Sequence, residues 1–112
     1  MRSVAIMAMI FAAMAGLHAQ AQDIGSPIRG KAYSQERCAD CHAIDTAAKS
    51  SPVRAAPTFA KIANTPGMTP MALTAWLHSS HNTMPSLIVK GDDLNDLIAY
   101  IRSLKTPAAD EK

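Results

Sequence analysis

Residues 38–42, with the sequence CADCH, constrain this chain more than any other part of it. Two thiols stand three positions apart, and an imidazole follows the second thiol directly. On one turn of helix, residues i and i+3 lie on the same face. Cys38 and Cys41 can therefore both reach one flat ligand, while His42 approaches the same ligand from the side. We expect the rest of the chain to be organised around a group held here.

The pattern C-x-x-C-H is typical of covalent attachment of a c-type haem, with two thioether bonds to the vinyl groups and one axial nitrogen on the iron. A structural zinc site would need four nitrogen or sulfur ligands, and would have to recruit His78 and His81 because the chain has no third cysteine. A thioredoxin-like pair would need a βαβ context, and a plain disulfide would leave His42 without a role. The sequence therefore predicts one covalently bound haem c.

The first 21 residues resemble a secretory signal peptide. Arg2 supplies a positive start, Val4–Leu17 is uncharged and mostly apolar, and residues 19–21 (AQA) form a small-x-small cleavage pattern. The apolar run is shorter than the roughly 18 residues that a membrane-spanning helix needs. We therefore predict a cleaved signal peptide, a periplasmic domain over residues 22–112, and no membrane anchor.

Cleavage would leave 91 residues, the 112 of the chain less 21, which is a single small domain. The formal net charge would fall from +2 to +1, because Arg2 is the one charged residue removed, and two haem propionates would bring it to about −1. No basic run indicates binding to nucleic acid or to a membrane surface. A chain of this size with few aromatic residues buries a small core and needs a staple, which a covalent porphyrin supplies.

Helix signals dominate and no strand pattern occurs, so we predict an all-α fold of three or four helices. The segments are 30–41, running into the attachment site; 57–64, with Pro57 in its first turn; 70–78, with Thr69 as N-cap; and a last helix beginning at Gly91. In the last helix, apolar residues recur at helical spacing and predict one buried face: Leu94, Leu97, Ile98, Ile101 and Leu104.

An iron bound by His42 leaves its sixth position to be filled. Met84 lies between two predicted helices, directly before Pro85, which would stiffen the loop. A thioether on such a loop can close over the other face of the haem, so Met84 is the predicted ligand. Met68, in a turn, is the alternative, and Met71, inside a helix, is expected to pack in the core.

With these residues the chain resembles a small class I c-type cytochrome, one of the soluble monohaem electron carriers that bacteria export. The resemblance covers about residues 30–104. Gly30 and Tyr33, together with residues 96–101 (DLIAYI), resemble the crossing N- and C-terminal helices of that family. The resemblance implies a fold wrapped around one haem, in which a small residue at the crossing lets the two backbones approach closely.

The resemblance also implies roles for two residues between the crossing helices. Trp76, ahead of Met84, resembles the family's approach to its axial methionine, and it is expected either on the porphyrin, with its N–H toward a propionate, or simply in the core. Pro57 resembles the proline whose carbonyl accepts the N–H of the proximal imidazole. The family usually has glycine where Ala56 stands, and a clear ring of lysines is absent.

The other two histidines of the mature chain, His78 and His81, lie on the approach to Met84. Either could replace the methionine to give bis-His coordination. The preferred interpretation is that they are exposed or bond near a haem edge, where they would make the potential depend on pH.

An iron with both axial sites filled leaves one-electron exchange as its chemistry, so we predict an electron carrier and not an enzyme. No nucleophile–base pair, paired carboxylates or glycine-rich phosphate loop indicates catalysis. The expected partners are the haem attachment machinery and redox proteins: a membrane respiratory complex, an oxidase or a periplasmic dehydrogenase. The carrier is expected to be a monomer. The alternatives are a gas-binding sensor with an open distal site and the haem subunit of an exported oxidoreductase.

Overall fold

The structure, a computed structural model, describes residues 24–79, 84 and 87–107. These residues form four α-helices and no β-strand: α1 (Pro27–Arg37), α2 (Phe59–Ala63), α3 (Pro70–His78) and α4 (Gly91–Ser103). The predicted all-α fold is confirmed. The predicted signal peptide lies outside the described residues, and the domain boundary at residue 22 stays a prediction.

The helix α1 differs from its predicted span of 30–41 at both ends. It begins at Pro27, because the Ser26 hydroxyl caps it by accepting the Arg29 N–H at 3.3 Å. It ends at Arg37, and Cys38 is its C-cap. Residues 27–29, which lie before the predicted start of the helix, are therefore its first turn.

Two further helices begin at threonine caps. Thr69 accepts the Ala72 N–H at 3.1 Å, so that α3 starts and ends as predicted. Thr58 accepts the Lys61 N–H at 3.1 Å and caps α2. Pro57 therefore lies before the cap and not in the first turn of α2, and its carbonyl is free to bond elsewhere.

The C-terminal helix α4 is the centre of the core and packs against each of the other three helices, most extensively against α1. Its predicted apolar face is buried at Leu94, Leu97, Ile98 and Ile101, while Leu104 is half-buried. Burying a side chain of this size stabilises a fold by about 1.5–3 kcal/mol relative to leaving it exposed. The face of α4 therefore accounts for much of what holds the small domain together.

The predicted crossing of α1 and α4 is confirmed, and it is unusually close. A Cβ placed on Gly30 would overlap the Asp96 carbonyl and come within 2.7 Å of the Tyr100 Cβ. Asp96, only 4% exposed, also binds α1 from the side: its carboxylate accepts Arg29 Nε at 2.6 Å, Arg29 Nη2 at 2.9 Å and the Ser26 N–H at 2.7 Å. The Arg29 guanidinium, followed by the Ser26 N–H, holds the pKa of Asp96 below its ordinary value.

Candidate functional site

A cavity of about 360 Å³ opens between the segment after α1, helices α2 and α3, and α4. Its walls are mainly apolar, and Lys61 is the one charged residue among those that line it in the described part of the chain. Such a lining excludes water and favours a large apolar ligand with a few polar anchoring points. All six predicted site residues line this cavity: Cys38, Cys41, His42, Pro57, Trp76 and Met84.

The imidazole of His42 is oriented by the loop before α2. Its Nδ1 lies 2.7 Å from the carbonyl oxygen of Pro57. Because a carbonyl oxygen only accepts, Nδ1 must carry the proton and donate, which leaves the lone pair of Nε2 available to a metal. Pro57 therefore has the contact that the family resemblance implied for it.

The two cysteines lie on a turn that continues past the end of α1. The Cys41 and His42 N–H groups both donate to the Cys38 carbonyl, at 3.1 and 2.9 Å. The hydrogen-bond pattern of one helical turn thus persists over the motif, although α1 itself stops at Arg37. Both thiols are free, Cys38 is buried and Cys41 is half-buried. Burial raises the pKa of the Cys38 thiol to about 11, so the sulfur keeps its proton at neutral pH.

The three candidate methionines lie in different surroundings. Met84 and Met68 both line the cavity and are both half-buried. Met71 is 81% exposed, so its predicted packing in the core is wrong. It lies on the side of α3 away from buried Leu73, which takes the inward position.

Trp76 lines the cavity and is 55% exposed, and its role stays a prediction. His78 is exposed at the end of α3 and does not line the cavity. His81 and Pro85 lie outside the described residues. Within the described part of the chain, no group of three or more His, Cys, Asp and Glu residues could hold a metal ion by itself.

Sequence reasoning did not find Phe59, which lies beside His42 with ring centroids 5.5 Å apart. Phe59 is also 6.4 Å from the ring of Tyr100, whose hydroxyl donates to the Ile44 carbonyl at 2.8 Å. The available signal was an aromatic residue two positions after Pro57. That signal alone could not be separated from ordinary core packing.

A family model described as cytochrome c matches residues 28–105, which is more than half of the chain. The chain belongs to the cytochrome c family. Its cofactor is therefore a covalently bound haem c, and its chemistry is the electron carriage typical of that family. No curated protein and no solved structure matches the chain.

The residues of this cytochrome fit the haem that its family implies. Two free thiols line the cavity, an imidazole has its Nε2 lone pair available, and the walls are apolar. A thioether from Met84 is present in the same cavity.

Among the described residues, no helix is both long and apolar enough to cross a membrane.

Proposed function

We propose that this cytochrome is an exported, periplasmic carrier of single electrons between redox proteins. Cys38 and Cys41 form the two thioether bonds to the haem, and His42 and Met84 bind its iron. The bound haem supplies exchange of one electron between ferric and ferrous iron, and the protein determines at which potential and with which partners this happens.

The observation that carries this proposal is the hydrogen bond from His42 Nδ1 to the Pro57 carbonyl, 2.7 Å long. This bond fixes both the tautomer and the ring orientation, and it makes Nε2 a stronger donor to iron. A histidine that only packed in a core would not need an Nε2 lone pair kept available at an apolar cavity. The bond thus supports a role for His42 as a permanent ligand.

The second ligand sets the function apart from gas binding. The thioether of Met84 lies among the lining residues of the same cavity. A methionine that fills the sixth position keeps small molecules off the iron, and it favours the reduced state, which raises the potential relative to a bis-His haem. The apolar walls stabilise the same ligand set by keeping water away from the iron.

The visible spectrum of the exported, matured protein tests this ligation. We expect the weak far-red sulfur-to-iron band in the oxidised protein and no change in the reduced spectrum under carbon monoxide. Met84→Ala should abolish the band, lower the potential and open the iron to carbon monoxide. Met68→Ala is the matched control, since Met68 lines the same cavity, and it should keep the band. If Met68→Ala loses the band and Met84→Ala keeps it, the ligand has been misassigned. If the wild-type protein binds carbon monoxide, a gas-binding function is favoured instead.

Export is tested by the intact mass of the protein from the periplasmic fraction. We expect a mass equal to residues 22–112 plus one haem, because the AQA pattern at residues 19–21 directs cleavage after Ala21. A bulky charged residue in place of Ala21 should block processing at this site. Haem-loaded protein that retains residues 1–21 in the wild type would contradict the prediction.

A further inference from the structure

The imidazole of His42 is in contact with more than its Pro57 partner. The ring of Phe59 lies against it, with centroids 5.5 Å apart and planes inclined by 51°. Tilted aromatic pairs at such distances attract each other beyond the effect of the area that they bury. The Phe59 ring is therefore a second contact that limits how the imidazole can turn about its own axis.

Phe59 is itself fixed in place. It is 4% exposed, and its N–H donates to the Ala43 carbonyl at 2.9 Å, directly after the histidine in the chain. On its other side it meets the ring of Tyr100, with centroids 6.4 Å apart and planes inclined by 56°. The three rings of His42, Phe59 and Tyr100 form a continuous row from the cavity to helix α4.

The hydroxyl of Tyr100 makes a second contact with the same segment, at the backbone of Ile44. The phenol, 5% exposed, donates to the Ile44 carbonyl at 2.8 Å, two residues after His42. The side chain has little freedom to leave this position, because Gly30 of α1 packs directly on its Cβ. Burial raises the pKa of this phenol, so it remains a neutral donor over the whole range near neutrality.

We propose that Tyr100 is a positioning residue for His42, acting through the Phe59 ring and through the Ile44 carbonyl. Helix α4 thereby sets the orientation of the imidazole, and with it the electronic state of the iron, from the far end of the chain. This inference rests on the proposed function, in which His42 is the iron ligand.

The orientation of an axial imidazole is read directly from the hyperfine-shifted proton resonances of the histidine ring in the oxidised holoprotein. We expect Tyr100→Phe to shift these resonances and the reduction potential, because the Ile44 contact is lost while the aromatic ring stays. Phe59→Leu should shift them further, because it breaks the row of rings. Tyr33→Phe is the matched control, because Tyr33 is also partly buried against the core but has no part in this row of rings. Loss of the Tyr33 hydroxyl should leave the His42 resonances in place.

A double-mutant comparison adds a readout that a purely structural role would not move. If the ring of Tyr100 acts through Phe59, the shifts of the double variant Tyr100→Leu/Phe59→Leu should be smaller than the sum of the shifts of Tyr100→Leu and Phe59→Leu. Loss of stability in Tyr100→Phe and Phe59→Leu with unchanged His42 resonances and potential would overturn the inference. Wild-type protein without histidine resonances of an axial ligand would overturn the proposed ligation instead, so the two failures are distinguishable.

Discussion

The crossing of α1 and α4 allows a sharp prediction, because Gly30→Ala should destabilise this protein although the same change stabilises most helices. Alanine has a higher helix propensity than glycine by about 1 kcal/mol, and Gly30 lies inside α1. The opposing effect is steric. The added Cβ would overlap the Asp96 carbonyl oxygen and lie 2.5 Å from its carbon and 2.7 Å from the Tyr100 Cβ.

These neighbours decide the sign of the effect. Ordinary contacts between carbon atoms are roughly 3.5 Å long, so the helices would have to separate by about 1 Å. The Asp96 atoms belong to the backbone of α4, which cannot rotate away as a flexible side chain could. Overpacking of a tight contact costs about 1–3 kcal/mol, and a backbone clash belongs at the upper end of that range. After the gain in propensity, we expect a net loss of about 2 kcal/mol.

Denaturant unfolding of the oxidised holoprotein measures this loss. The midpoint should fall with an unchanged slope, and the thermal midpoint should fall by about 4–8 °C for each kcal/mol. Ala32→Gly is the matched control: Ala32 is exposed on the same helix, and its replacement should cost about 1 kcal/mol through propensity alone. If Gly30→Ala proved as stable as the wild type or more stable, the close approach of the two backbones would be refuted.

Three further changes test the contacts around the core. Asp96→Asn should destabilise the protein at neutral pH. Because the pKa of Asp96 is lowered in the folded protein, the difference in unfolding midpoint from the wild type should shrink as pH falls below about 4 and through that pKa. Glu36→Gln, at an exposed position of α1, is the control, and its midpoints should show no such trend with pH. Asn64→Ala removes an amide that donates to the Leu104 carbonyl, just after α4, and accepts the Thr106 N–H. The unfolding free energy should fall by about 1 kcal/mol, and hydrogen exchange of the Thr106 amide should accelerate. Unchanged exchange would mean that solvent replaces these bonds. Gly25→Ala should lower the unfolding free energy at least as much as Gly30→Ala, because the added Cβ would overlap the Asn95 carbonyl with no gain in helix propensity. An unaltered unfolding midpoint would contradict this.

Sequence reasoning succeeded where the signals are local. Thr69 and Pro70 mark the start of α3 because a hydroxyl cap and a fixed φ act within one turn. The apolar face of α4 follows from spacing alone. The motif at 38–42 indicates its cofactor because the chemistry needs those groups at that spacing. In each case the cause lies within a few residues of its effect.

The start of α1 shows where that reasoning was weaker. Ser26 and Pro27 carry the same cap signal as the start of α3, but the helix that follows has no apolar stripe to support it: its fully buried residues are Gly30 and Ser34. Helix α1 packs through its backbone, since Gly30 admits α4 and the Ser34 hydroxyl donates back to the Gly30 carbonyl at 2.7 Å. Periodicity of large apolar residues cannot place the start of a helix that is buried in this way.

The role of Asp96 could not have been inferred from any window of the sequence. In a capping box, a Glu or Gln at the third helical position accepts the N–H of the cap residue. In α1 that position holds Arg29, and the carboxylate comes instead from Asp96, which accepts the Ser26 N–H and binds Arg29 at the same time. The cap of the first helix is thus completed by the last helix, about 70 positions along the chain. Helix α1 leads directly into the attachment cysteines, so the order of residues 26–44 depends on the docking of α4. Asp96 of α4 binds the start of this stretch at Ser26, and Tyr100 binds its end at Ile44.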